Sequence, residues 1–235
     1  MLTALALATP IFGFALTPPS DADLAGGELS LTSPVPSFVL VSHDVEEEPP
    51  PAGDLDDFAA QLRARRELGA IHRGFGIATW GAMLATVVLG FIQYYNLYGA
   101  FGGPADTPCV RGEAVFGQDQ CYGDPWVHRI AAWTTTALYG TTFVLSLTMP
   151  DPSDLDHARG DLADHVRIHK ALRWVHFVGM ILQIGLGMVT SQAASWFDID
   201  RANNFETLQA LATVHQAIGL VTFGTLTVAG ALMIF

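Results

Sequence analysis

An all-α membrane fold is what this sequence predicts: an up-down four-helix bundle of transmembrane helices behind a disordered N-terminal tail. Three observations carry that expectation. Half of the 235 residues are hydrophobic and only 14% are charged, with a mean hydropathy of +0.34, where a soluble domain is about a quarter charged. Four long apolar segments cover roughly residues 68–99, 126–149, 171–196 and 210–235. Histidines stand at or just inside the entry of every one of those segments.

Taken from the N-terminus, residues 2–17 are apolar, rich in small side chains and interrupted by Pro10. They fall short of the about 20 residues that a span needs. They read either as a signal-peptide core with a cleavage region at Gly13-Phe14-Ala15 or as a short uncleaved anchor. Residues 18–60 hold the acidic and proline-rich run 46–51. They offer too little apolar surface to offset ordering entropy and are expected to be a disordered linker. Residues 61–235 then form the bundle. Each apolar segment can cross a hydrocarbon core of about 30 Å at 1.5 Å per residue, and in lipid such a segment must be a helix. Connections are modest, so neighbouring helices are expected to be antiparallel. Pro150 closes the second segment.

The loop between the first two segments carries the only cysteines, Cys109 and Cys121. A disulfide is expected, because this Gly-, Pro- and Asp-rich loop lacks other means of order. There is no C-x-x-C-H sequence for covalent haem attachment, and no nucleophile elbow, phosphate loop or zinc signature. The net charge of −12 leaves no footprint for nucleic acid. Of the basic residues, Arg63, Arg65, Arg66, Arg73, Arg159, Arg167, Lys170 and Arg173 lie on the side where odd segments begin, against Arg111, Arg129 and Arg201 on the other. That bias places the first side in the cytoplasm. A cleaved signal peptide would reverse the bundle and an anchor would not. A bacterial plasma membrane is the expected location.

Ionisable side chains inside spans are costly and point to function. His72 enters the first segment and His169 and His176 the third from one side; His128 enters the second and His215 the fourth from the other. Alternate helices of a bundle can sit diagonally across its core. One histidine pair then falls near each membrane face: His72 with His176, or with His169, and His128 with His215. Imidazole is an axial ligand to haem iron, so this pattern predicts two b-type haems, each held between two histidines. The surrounding residues agree. His72 is followed by Gly76, Thr79, Trp80 and Gly81, and His215 by Gly219, Thr222, Phe223 and Gly224. Small residues four positions on share the histidine's face and leave room for a macrocycle, although small faces also serve plain helix packing in lipid. In the third segment His176, with Gly179 and Gly185 nearby, is the favoured ligand, and His169 is the alternative. Arg73, Arg129, Lys170 and Arg173 adjoin these histidines and suit either haem propionates or lipid headgroups.

These segments resemble the cytochrome b561 family in its broad sense. The resemblance covers about residues 68–235 and rests on the histidine pairs and on the phrases Ile71-His72-Arg73-Gly74, Val127-His128-Arg129 and Val214-His215-Gln216. It implies two haems, ligated by the first with the third and the second with the fourth core helices, and electron transfer across a membrane. Four segments are visible here where many members have six, and no ascorbate site is recognisable. The electron donor and acceptor stay open among a quinol, a small reductant and a redox protein. Assembly as a homodimer or as a redox-complex subunit is expected, and a haem-bearing anchor subunit of a larger redox complex and a haem-free scaffold binding metal through its histidines are the competing readings.

Overall fold

The computed structural model describes residues 52–100, 102–122 and 125–233, all within the unit Pro49–Phe235. The leader or anchor expected over 1–17 and the linker over 18–51 lie outside the described residues. Among those described, every regular element is helical. The long helices are α1 (Ala52–Tyr98), α3 (Trp126–Thr148), α4 (Asp161–Ser191) and α6 (Phe205–Ala231). Short helices α2 (Pro108–Arg111) and α5 (Ala193–Phe197) and two 3-10 turns, Pro104–Asp106 and Gln118–Cys121, occupy the connections.

Helix α1 starts before the expected boundary at residue 61. Residues 52–60 belong to its first turns, not to the linker. Their composition explains this: Asp54 sits in the first turn, where the helix dipole favours a negative charge, and Ala, Leu, Gln and Arg, all good helix formers, follow. With 47 residues α1 is about 70 Å long, far more than a hydrocarbon core of about 30 Å requires. It ends at Gly99, whose φ of +60° suits glycine and whose N–H donates to the Tyr95 carbonyl at 2.8 Å.

Helices α1, α4 and α6 are long and apolar enough to cross a membrane. Helix α3, at 23 residues, is the shortest of the four, about 35 Å long, and is diluted by Thr134, Thr135, Thr136, Thr141, Thr142 and Thr148. The distribution of side chains is that of a membrane protein. Large apolar groups such as Ile77, Val88, Ile130, Val144, Val178, Ile181 and Val221 are exposed on the long helices, while Thr79, Asn96, Thr135, His176 and Thr222 are buried. In water this arrangement would be unfavourable; against lipid it is the favourable one.

Helix α1 packs on α3 and α6, and α4 packs on α6, with α3 and α4 touching less. Threonine pairs join α1 to α3: Thr79 to Thr142 at 2.9 Å and Thr86 to Thr135 at 2.8 Å. Trp80 donates to Thr227 at 3.0 Å and Tyr94 bonds Thr213 at 2.8 Å, joining α1 to α6. Moving along α1 from Thr79 to Thr86, the partner on α3 falls from Thr142 to Thr135, and from Trp80 to Tyr94 the partner on α6 falls from Thr227 to Thr213.

The two ends are held differently. At one end Arg65 donates to the Pro150 carbonyl at 2.7 Å and to Asp151 at 2.9 Å, while Lys170 bonds Asp151 at 3.1 Å and Asp156 at 2.7 Å. At the other, the expected disulfide joins Cys109 to Cys121. Asn96, fully buried, exchanges two hydrogen bonds with the Val115 backbone, and Gln93 donates to the Gln120 carbonyl at 2.8 Å.

At Gly179 helix α4 lies close against α6. A Cβ there would collide with Thr222 Oγ1 and stand 3.0 Å and 3.1 Å from its Cγ2 and Cβ, and that hydroxyl is already committed to the Ile218 carbonyl at 2.7 Å. Gly179→Ala is expected to destabilise the protein by about 1–3 kcal/mol, the usual cost of overpacking. Thr222→Ala should relieve that penalty in the double variant. Thermal melts of the four proteins in detergent test this, and additive effects of the two substitutions would refute the contact.

Candidate functional site

Two pairs of imidazoles face one another inside the bundle. His72 on α1 and His169 on α4 have ring centres 6.2 Å apart and planes crossing at 88°. His128 on α3 and His215 on α6 have ring centres 6.3 Å apart, also at 88°. The first pair lies toward the end clamped by Asp151, the second toward the disulfide. His72 meets the carbonyl of Thr142, and Thr142 stands 14 residues beyond His128 on α3, so the pairs are separated by about 21 Å along the helix.

Backbone carbonyls set the state of the first pair. His72 Nδ1 is 3.2 Å from the Thr142 carbonyl and His169 Nδ1 is 2.8 Å from that of Ala229. A carbonyl only accepts, so both Nδ1 atoms carry the proton and both Nε2 atoms keep a free lone pair. Metal-binding histidines are typically oriented in this way. In the second pair the Nδ1 atoms of His128 and His215 are buried and make no hydrogen bond of normal geometry, although the Thr86 backbone lies near His128. Glycines of neighbouring helices press on these rings. A Cβ on Gly90 would stand 3.1 Å from His128 Cε1, and one on Gly187 would stand 3.3 Å from His215 Cε1.

The geometry suits one metal atom between each two rings. A metal–imidazole bond of about 2 Å on either side, with the rings' own half-widths, separates the centres by about 6 Å. Among the described residues no group of three or more His, Cys, Asp or Glu can surround an ion. Two imidazoles alone would suit an iron that a macrocycle already holds, and His72 with His169 and His128 with His215 are the residues that would hold it.

Sequence spacing favours His176 opposite His72; the ring that stands there is His169's. The two residues are seven apart and share a face, so spacing alone leaves their depth unresolved. His176 lies buried farther along α4, its Nδ1 bonded to the Tyr139 hydroxyl at 2.8 Å. Of the small residues expected to clear space, a Cβ on Gly76 would meet nothing within 4 Å, whereas Gly219 packs against the Gln183 amide, with 3.3 Å from its ideal Cβ to Nε2. That amide is held by the His215 carbonyl at 2.5 Å. Arg73 and Arg129 are exposed on α1 and α3. Lys170 is engaged by Asp151 and Asp156, which leaves it a structural clamp. Gly90, Gly187 and the Thr142 and Ala229 carbonyls carry no signal within their own segments; each matters through a histidine on another helix.

Compared with known proteins, the chain matches no family model, no curated protein and no solved structure.

The clamp has a definite pH dependence. Burial works against the ionised form of Asp151, but the hydrogen bond from Lys170, the Leu155 backbone and the charges of Lys170 and Arg65 outweigh it and hold the carboxyl below its ordinary value. Its contribution to stability is therefore fully present above the unfolded-chain value, near 4, and is lost as pH falls through the lower folded value. Melting temperature is expected to drop across that acid window, and Asp151→Asn should be less stable at neutral pH with a flatter acid limb. An unchanged acid limb in the variant would refute the assignment.

Proposed function

We propose that this chain is a dihaem b-type cytochrome, a four-span up-down bundle that carries electrons across a membrane between two bis-histidine sites. One observation carries the reading: on two separate diagonals, imidazoles face each other 6.2 Å and 6.3 Å apart, the separation expected when one iron lies between them. The ligands are His72 with His169, and His128 with His215. The short phrases around His72, His128 and His215 that resemble the cytochrome b561 family are in keeping with this proposal, while no family model matches the chain.

The span count rests on α3. Its threonine hydroxyls donate back to carbonyls one turn earlier, Thr136 to Ala132, Thr141 to Ala137 and Thr142 to Leu138, so they demand nothing from lipid. Ile130, Trp133, Val144 and Leu147 provide an exposed apolar face. The opposed numbering of successive contacts supports alternating directions: Thr79 with Thr142 and Thr86 with Thr135, Trp80 with Thr227 and Tyr94 with Thr213, His169 with Ala229 and Gln183 with His215.

Bound haem would supply one-electron chemistry. The protein's residues do the rest. The Thr142 and Ala229 carbonyls hold His72 and His169 as Nδ1–H tautomers, and the helices keep each pair at ligating distance. Between the two sites, the buried cluster of Met83, Tyr139 and Met180 with Phe143, Phe177 and Phe223 excludes water from the path. A haem-free metal carrier is disfavoured by the pairing itself, since two nitrogens alone hold a bare ion poorly.

Purified protein is expected to show sharp b-type bands in a reduced-minus-oxidised spectrum, with two haems per chain. His72→Ala and His169→Ala should each lose the same haem, His128→Ala and His215→Ala the other, and His176→Ala should keep both. A featureless spectrum would remove the proposal, and loss of haem with His176→Ala but not with His169→Ala would remove the ligand assignment.

A further inference from the structure

Three of the long helices repeat one pattern: a histidine, a small residue four positions on, and a threonine seven on. The sets are His72, Gly76 and Thr79; His128, Ala132 and Thr135; His215, Gly219 and Thr222. The three threonines are buried and each hydroxyl is bonded, to Thr142, to Thr86 and to the Ile218 carbonyl. Helix α4 breaks the pattern at both places. After His169 the fourth position is Arg173 and the seventh is His176. All three share one face of the helix.

Arg173 therefore brings a full positive charge to the His72–His169 pair. Its Nη1 donates to the Ser146 carbonyl at 3.1 Å, one turn beyond the Thr142 carbonyl that meets His72. Its guanidinium carbon lies 5.3 Å from the centre of the Trp174 ring. Its Nε is buried without a partner, so the charge is incompletely answered. The loop carboxylate Asp151 is shared between Arg65 and Lys170. At the other pair the equivalent positions hold Ala132 and Gly219. Arg129 follows His128 by one residue, about 100° around the helix, and is exposed.

We propose that Arg173 makes the His72–His169 site the higher-potential of the two, so that an electron entering near the disulfide comes to rest at the clamped end. This rests on the dihaem reading and adds its direction. A fixed cation in a low-dielectric interior favours the ferrous state, which carries one positive charge less than the ferric. One electron is lost at the His128–His215 site and gained at the His72–His169 site; no bond forms and no proton is needed.

The test is an optical redox titration of the full chain with both haems in lipid discs. Two steps are expected in the wild type, and His128→Ala should retain the higher. Arg173→Gln should shift that higher step at least tenfold toward the oxidised form, about 59 mV for one electron, and leave the lower step in place. Arg173→Lys, which keeps the charge, should stay near the wild type. Arg173→Met serves as a second neutral variant if Arg173→Gln loses the haem. The proposal is overturned if the higher step does not move, if His128→Ala retains the lower step, or if the Gln and Lys variants shift alike. Absence of b-type bands in the wild type would instead sink the dihaem reading itself, a separate outcome.

Discussion

Polar groups that point into a lipid-embedded bundle must be answered by other groups of the same bundle, because hydrocarbon offers no hydrogen bonds. Much of the interior follows from that constraint. Threonines of α1 meet threonines of α3, the Tyr139 hydroxyl meets His176, and the ring nitrogens of His72 and His169 meet carbonyls of α3 and α6. Each bond crosses between helices, so each also sets how far one helix can slide along another. The imidazole pairs are positioned as a result of this interlock. Of the atoms it leaves unanswered, the Nδ1 atoms of His128 and His215 and Arg173 Nε belong to the histidine pairs or stand beside one, and Gln118 Nε2 lies in the connection before α3.

Much of the helical layout is legible in sequence because lipid simplifies the code. Apolar runs of sufficient length identify α1, α4 and α6 as able to cross a membrane, and Pro150 stops α3 close to where the helix ends. The cysteine loop is legible for a similar reason: a Gly- and Pro-rich connection with two cysteines has few other sources of order. The first turns of α1 are hidden because the acidic, proline-rich stretch just before residue 52 masks a good helix-forming sequence beginning there.

The site is less legible, and the third histidine-bearing helix shows why. Seven residues make nearly two turns, so His169 and His176 present the same face and differ only in depth. Depth is decided by partners on other helices, Ala229 for one and Tyr139 for the other. Glycines divide in the same way. Gly76 opens onto free space, while Gly219 is filled by Gln183, and the glycines that touch the rings at the disulfide end are Gly90 and Gly187. A residue that matters through a neighbour's side chain leaves no mark in its own periodicity.

The threonines of α3 have a consequence for how such a chain is assembled. A helix judged alone on entering a bilayer is weighed by its own side chains, and on that scale α3 is the weakest candidate of the long four. Two of its hydroxyls find their interhelical partners only on α1, which is synthesised first. On the four-span reading, α3 is then a guest that enters beside a host already in place, and the stapled connection of residues 109–121 keeps the two within reach of each other.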